Sequence, residues 1–194
     1  MRKVLLAFLS IILLCSCTSK NDINQDYEVV CKNVDMSCYD GVNSTNHCFK
    51  LVKTDEVYNV IDNKSSAVFF LGKKECSCCQ ELTKYLNEVA LELGVTIYYI
   101  DVFNEEDPLV VYEDSKGSYT QSAKKLEACL YDILEPNPEG KRSLLTPHLF
   151  AIINGEFKGS EICTDFFDYD WENTTDKDIN NVKKAYRKVL EPFA

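Results

Sequence analysis

The sequence predicts an α/β domain built on a central mixed sheet with helices on both faces. Two observations point there. A buried-type run, Ala67 to Leu71, is followed by an amphipathic segment, Cys76 to Leu93, and then by the β-branched and aromatic run Val95 to Val102. That strand, helix, strand order reads as a parallel crossover, which favours a sheet covered on both sides. Further on, Leu149 to Ile153 and Glu156 to Lys158 flank Asn154-Gly155, a strong hairpin signal. With 194 residues, 45% of them apolar, the chain suits one domain with a real core plus a leader.

The leader comes first. Arg2 and Lys3 precede an apolar run, Val4 to Leu14. The run falls short of the roughly 18 residues of a spanning helix and reads as a secretory signal peptide over residues 1–16. Leu14-Cys15-Ser16-Cys17 resembles the bacterial lipobox, in which the cysteine is diacylated and becomes the new N-terminus. Cys17 is the expected lipidation site. Cys15 fits less well, because Leu14 would then occupy the small-residue position. Two acyl chains anchor stably, each buried methylene contributing about 0.8 kcal/mol. The expected location is the outer face of a bacterial cell membrane.

The net charge is −10, and loss of Arg2 and Lys3 with the leader makes the chain more acidic still. That argues against nucleic acid and against charge-driven binding to anionic lipid heads. Ten cysteines in an exported chain lie where disulfides persist.

Residues 17–26 read as the lipidated cysteine and a polar tether. Residues 27–48 form an N-terminal extension with Cys31, Cys38 and Cys48, which have Cys129 and Cys163 as further candidate partners; sequence cannot choose the pairing. Residues 49–194 form the main domain. Thr54 is placed to cap a helix over Asp55 to Asn63. Ala67 to Leu71 reads as a buried strand. Leu82, Tyr85, Leu86, Val89, Ala90 and Leu93 recur at helical spacing, and Gly94 is a natural stop. Asn104 to Gly117 reads as an acidic loop. Thr120 to Leu134 forms a further helix, with Cys129 on its apolar face, ended by Pro136 and Pro138. A last helix runs from about Thr175 to Leu190. The acidic stretches Glu105 to Pro108 and Asp165 to Asn173 lack the ordered spacing of a calcium loop and read as solvated surface.

Cys76 and Cys79 form a C-x-x-C at the junction of strand and helix. The thiolate is the nucleophile of disulfide exchange, and a helix N-terminus lowers a cysteine pKa from about 8.5 towards about 3.5–7.5. Cys76 sits at that start and is the expected nucleophile; Cys79, deeper in the helix, is the expected resolving thiol. Glu75 opposes ionisation of Cys76, whereas Lys73 and Lys74 favour it.

The segment "AVFFLGKKECSCC", its helix and "GVTIYYIDV", followed by "TPHLFAIINGEFKG", resembles the thioredoxin superfamily across about Phe49 to Leu190. In style it is similar to thioredoxin-like bacteriocin transport accessory proteins. The resemblance implies a thioredoxin-like fold with a cis-proline loop at Thr146-Pro147, a C-terminal β-hairpin and a closing helix. It implies that Thr146 and Pro147 order an extended substrate, and that the activity is thiol–disulfide exchange on exported proteins, reduction favoured over oxidation. No organic cofactor is implied, since electrons pass to and from thiol- or disulfide-bearing proteins and a membrane redox partner. The chain also departs from the family. Thioredoxins proper carry a buried aspartate six residues before the first cysteine, where this chain has Phe70.

Cys78 is expected on an exposed helix face as a bystander. An alternative has Cys76, Cys78, Cys79 and His148 hold copper or zinc as a metal carrier, since soft thiolates favour those ions. Another alternative is a non-catalytic accessory module for peptide or bacteriocin export.

Overall fold

The computed structural model describes residues 27–113, 116–136, 140–162 and 173–194. Its centre is a six-stranded sheet of β1 (Lys32–Asn33), β2 (Phe49–Leu51), β3 (Ala67–Gly72), β4 (Ile97–Asp101), β7 (His148–Ile153) and β8 (Glu156–Ile162), in the order β1-β2-β4-β3-β7-β8. Strands β2, β4 and β3 are parallel, and β7 and β8 return antiparallel. Among the described residues, four α-helices complete the layers: α1 (Asp55–Asp62), α2 (Ser77–Leu93), α3 (Gln121–Leu130) and α4 (Asp176–Leu190). The expected mixed sheet with helices on both faces is present.

Strand β3 is buried at every position, and its alternation splits the core in two. Val68 and Phe70 pack with Leu82 and Leu86 of α2 and with Val182 and Tyr186 of α4. Ala67, Phe69 and Leu71 pack with Val57 and Val60 of α1, Leu126 of α3 and Phe150. Gly94 ends α2 in the left-handed conformation at φ 69°. The β7–β8 turn has Asn154 at φ 54° and Gly155 at φ 80°, the paired positive values of a type I′ hairpin. A Cβ at Gly155 would lie 2.7 Å from the carbonyl oxygen of Ile61, so this turn also requires glycine for close packing on the end of α1. Thr175 caps α4 through a capping box: Asp178 N donates to its Oγ1, and Thr175 N donates to Asp178 Oδ2 at 3.0 Å.

Several expectations change. Thr54 occupies the N-cap of α1 but makes no side-chain capping bond. Its N–H and its hydroxyl both donate to Asp107 Oδ2 at 2.8 Å, because a carboxylate is the stronger acceptor. The stretch from Asn104 to Gly117 is not all loop: β5 (Val110–Glu113) and β6 (Lys116–Tyr119) pair as a separate antiparallel ladder. The stretch Glu105 to Pro108 is not merely solvated either. Glu106 pairs with Lys32 and, at 2.9 Å, with Lys53, and Asp107 holds Thr54. The helix from Thr120 stops at Leu130, and a 3-10 turn covers Tyr131–Ile133. Most of Asp165 to Asn173 lies outside the described residues.

The N-terminal extension joins the main core. Met36 and Tyr39 are fully buried there. Tyr27 Oη and Val30 N donate to Glu56 at 2.8 and 2.9 Å, fastening the extension over α1. Among the described residues, no helix is long and apolar enough to cross a membrane.

Candidate active site

Cys76 is the N-cap of α2, with extended backbone, φ −90° and ψ 117°. Its sulfur accepts from Cys79 N at 3.3 Å, so it meets one of the unpaired donors of the first turn. Its thiol also reaches the Thr146 carbonyl oxygen at 3.3 Å. The Thr146-Pro147 peptide is cis and Pro147 is buried. Cys76, Cys79 and Thr146 therefore meet at the end of β3, although Thr146 lies 70 positions from Cys76.

The two thiols are electrostatically opposite. The Cys79 thiol, hydrogen-bonding to the Cys76 sulfur, is the largest cause lowering the Cys76 pKa to about 6; the Cys79 amide, Thr146 and the Lys73 charge lower it further, against burial. The same bond, together with burial, raises Cys79 well above the ordinary thiol range. Cys76 is half-buried and Cys79 is 0% exposed. One thiol is made more acidic and is partly exposed; its partner is made less acidic and is sealed. Glu75 forms an exposed 3.7 Å pair with Lys74 and raises the pKa of Asp101.

Cys78 is not on an exposed face. It is 8% exposed and joins the core that contains Met36, Tyr39 and Tyr186. Helix α2 is covered by the extension and α4 as well as by the sheet, which leaves its first turn little open surface. His148 does not join the thiols. Strand alternation places it with Phe150, on the face away from α2, with ring centroids 5.4 Å apart. Its Nε2 hydrogen-bonds Ser160 Oγ at 2.7 Å, and burial lowers its pKa to about 4. Among the described residues, no cluster of three or more histidine, cysteine or acidic side chains is arranged to hold a metal. The copper or zinc alternative on Cys76, Cys78, Cys79 and His148 thus lacks its geometry.

Cys31 and Cys38 are exposed, Cys48 and Cys129 are partly buried, and all four are free thiols. Cys129 is thus less enclosed than the apolar face of its helix suggests. Cys15, Cys17 and Cys163 lie outside the described residues.

Sequence reasoning missed the surroundings of the dithiol. The Tyr39 and Tyr99 hydroxyls hydrogen-bond at 2.8 Å inside the core, and Phe70 stacks on Tyr99 at 5.8 Å. The alternation in "IYYID" turns Tyr99 and Asp101 to the α2 side of β4. Its partner, Tyr39, lies 60 residues away in the extension, which no local pattern announces. A cavity of about 120 Å³, lined in part by Lys73, Val110, Tyr119 and Thr146, opens beside the dithiol. The hairpin of β5 and β6 forms one wall.

No protein-family model matches the chain, and no curated protein matches it. Solved structures similar to it include thioredoxin from Trypanosoma brucei brucei, at 9% identity and TM-score 0.42, over 77% of this chain and 97% of that one. Spinach chloroplast thioredoxin f in its short form matches at 13% identity and TM-score 0.39, over 75% and 99%. Oxidised thioredoxin O2 from Arabidopsis thaliana matches at 14% and 0.38, over 74% and 95%. The fold is thioredoxin-like, with the strand order β2-β4-β3-β7-β8, the first three parallel and the last two antiparallel.

Proposed function

We propose that the protein is a membrane-anchored, extracytoplasmic thiol–disulfide oxidoreductase acting on exported proteins. The observation that carries this reading is the split dithiol: a half-buried Cys76 with its pKa lowered to about 6, bonded to a buried, protonated Cys79. The Cys76 thiolate attacks a substrate disulfide, forming a mixed disulfide and expelling one substrate thiolate. Cys79 then attacks the Cys76 sulfur, closing the Cys76–Cys79 bond and releasing the second substrate thiolate. A membrane redox partner returns two electrons by the same exchange. The Thr146 carbonyl beside Cys76 and the adjoining cavity are suited to an extended substrate and one of its side chains.

Reduction is the favoured direction. A Cys76 pKa of about 6 lies nearer to the ≈7 of thioredoxin than to the ≈3.5 of strongly oxidising dithiols. Lipidation of Cys17 supplies the anchor.

A Cys79→Ser variant with Cys76 intact is expected to trap exported proteins as mixed disulfides, and the wild type to reduce insulin. The absence of both trapping and reduction would sink the reading. The anchor is tested separately by acyl-chain labelling, which is expected to vanish in Cys17→Ser; persistent label would refute that site.

A further inference from the structure

One wall of the cavity beside the dithiol comes from a hairpin outside the main sheet. Strands β5 and β6 lie between β4 and α3 in the chain and form a ladder of their own. Their register, Val110 opposite Tyr119 and Tyr112 opposite Gly117, puts Val110, Tyr112 and Tyr119 on one face. Val110 and Tyr119 line the cavity. Tyr112 extends that face, 62% exposed, with its ring 6.0 Å from that of Phe103. The base of the hairpin is fixed: Leu109 N donates to the Val102 carbonyl at 2.9 Å, and Thr120 N to the Leu109 carbonyl at 3.0 Å. The Tyr119 hydroxyl donates to the Leu144 carbonyl at 3.4 Å, tying the hairpin to the segment that leads into Thr146. The back of the cavity is core, since Leu71, Val102 and Leu109 are buried. Thr146 also lines it, and the Thr146 carbonyl oxygen is 3.3 Å from the Cys76 sulfur. Among the described residues that line the cavity, Lys73 alone is charged, and its ammonium lies 6.0 Å from the centre of the Phe103 ring.

We propose that this cavity is a specificity pocket for a branched aliphatic side chain next to the reactive cysteine of the substrate. The inference rests on the exchange reading and adds to it the class of substrate. Thr146 joins the two places, because it touches the Cys76 sulfur and lines the cavity. Adjacent Cα atoms are about 3.8 Å apart, so a strand lying on Thr146 sets its cysteine at Cys76 and the neighbouring side chain at the cavity. The volume of about 120 Å³ equals that of roughly four waters, at about 30 Å³ each. A leucine or isoleucine side chain is of that size. In this pocket it leaves water for the faces of Leu71, Val102, Leu109 and Val110, which is the favourable direction for apolar surface. A basic side chain loses its hydration there and meets Lys73, a like charge, with no acid in the lining to pair with. The pocket therefore selects by both size and charge, and the hairpin is the element that sets the selection.

One experiment separates the pocket from the exchange reading. Reduced protein is mixed with symmetric disulfides of short peptides, Gly-Xaa-Cys-Xaa-Gly, in which Xaa is Leu, Ala or Lys. Released peptide thiol is followed in a single turnover by acid quenching and mass spectrometry. The Leu peptide is expected to react about 10–100-fold faster than the Ala peptide, and the Lys peptide no faster than Ala. In Val110→Glu, which sets a carboxylate in the hairpin wall, the order of Leu and Lys should reverse. Tyr119→Glu places the same charge on the paired position and carries the decision if Val110→Glu does not fold. Comparing peptides within one protein keeps the readout independent of how much of a variant is active. Equal rates for the three peptides in the wild type overturn the pocket and leave exchange standing. A Leu preference that persists unchanged in the folded hairpin variant does the same. Release of no peptide thiol by the wild type from any of the three overturns both.

Discussion

Because Cys79 donates to the Cys76 sulfur, ionisation of the first thiol depends on the second retaining its proton. Alkylation of Cys76 is therefore expected to rise with pH through a midpoint near 6, against about 8.5 for an ordinary cysteine. In Cys79→Ala, which removes the donor, the midpoint should move upward; an unchanged midpoint would show that the bond is not the main cause. A second titration concerns stability. His148 is buried and its pKa falls from 6.5 to about 4, so the unfolded chain takes up a proton more readily. The stabilising effect is present above pH 6.5 and is lost as pH falls towards 4, roughly 3 kcal/mol at most. Urea midpoints at pH 7 and pH 4 should converge in His148→Gln relative to wild type. At this scale the dithiol was legible because its signal is local: two cysteines between a strand and a helix. The burial of Cys78 was not, because the cover comes from the extension and α4, both distant in sequence.

Helix α2 shows how an element prepares its own chemistry. Cys76 is the cap, so the sulfur proposed as the nucleophile is also the atom that accepts a first-turn N–H. Elsewhere, capping is purely structural. Thr175→Ala should cost about 1 kcal/mol by removing the hydroxyl that accepts from Asp178 N, while the Thr175 N–H arm of the α4 capping box remains. Gly155→Ala should cost more, roughly 1–3 kcal/mol, because φ is 80° and the Ile61 carbonyl is too near. Chemical denaturation measures both, and the order of the two effects is the test. The hairpin at Asn154-Gly155 was readable since the dipeptide encodes the backbone it needs. The β5–β6 ladder was not, since Val110 to Tyr112 is a short β-prone run set among acidic residues. Thr54 was correctly placed at a helix start, but its hydroxyl went to a carboxylate 53 residues away.

For the whole molecule, the extension is a structural part of the domain. It supplies Met36, Tyr39 and Val42 to the core shared with α2 and α4. Deleting residues 27–43 should therefore lower stability by at least about 4 kcal/mol, as loss of that much buried apolar surface requires. A truncated domain with a wild-type urea midpoint would contradict this. The sequence rhythm revealed the sheet, its crossover and its closing hairpin, because each is written in neighbouring residues. The place of the extension depends on long-range packing and was hidden.

Gln80 gives this arrangement a mechanical side. Its amide nitrogen donates to the Cys38 and Lys74 carbonyls at 3.0 and 2.6 Å, and its oxygen accepts from Asp40 N at 3.2 Å. One side chain thus rivets the extension to the loop that leads into Cys76. A pull on the chain from its N-terminal side meets the Glu56 anchors, then the two-residue β1 ladder, then this rivet. Once β1 has parted from β2, traction passes through Gln80 to the first turn of α2, so the thiol pair lies on the force path of the domain.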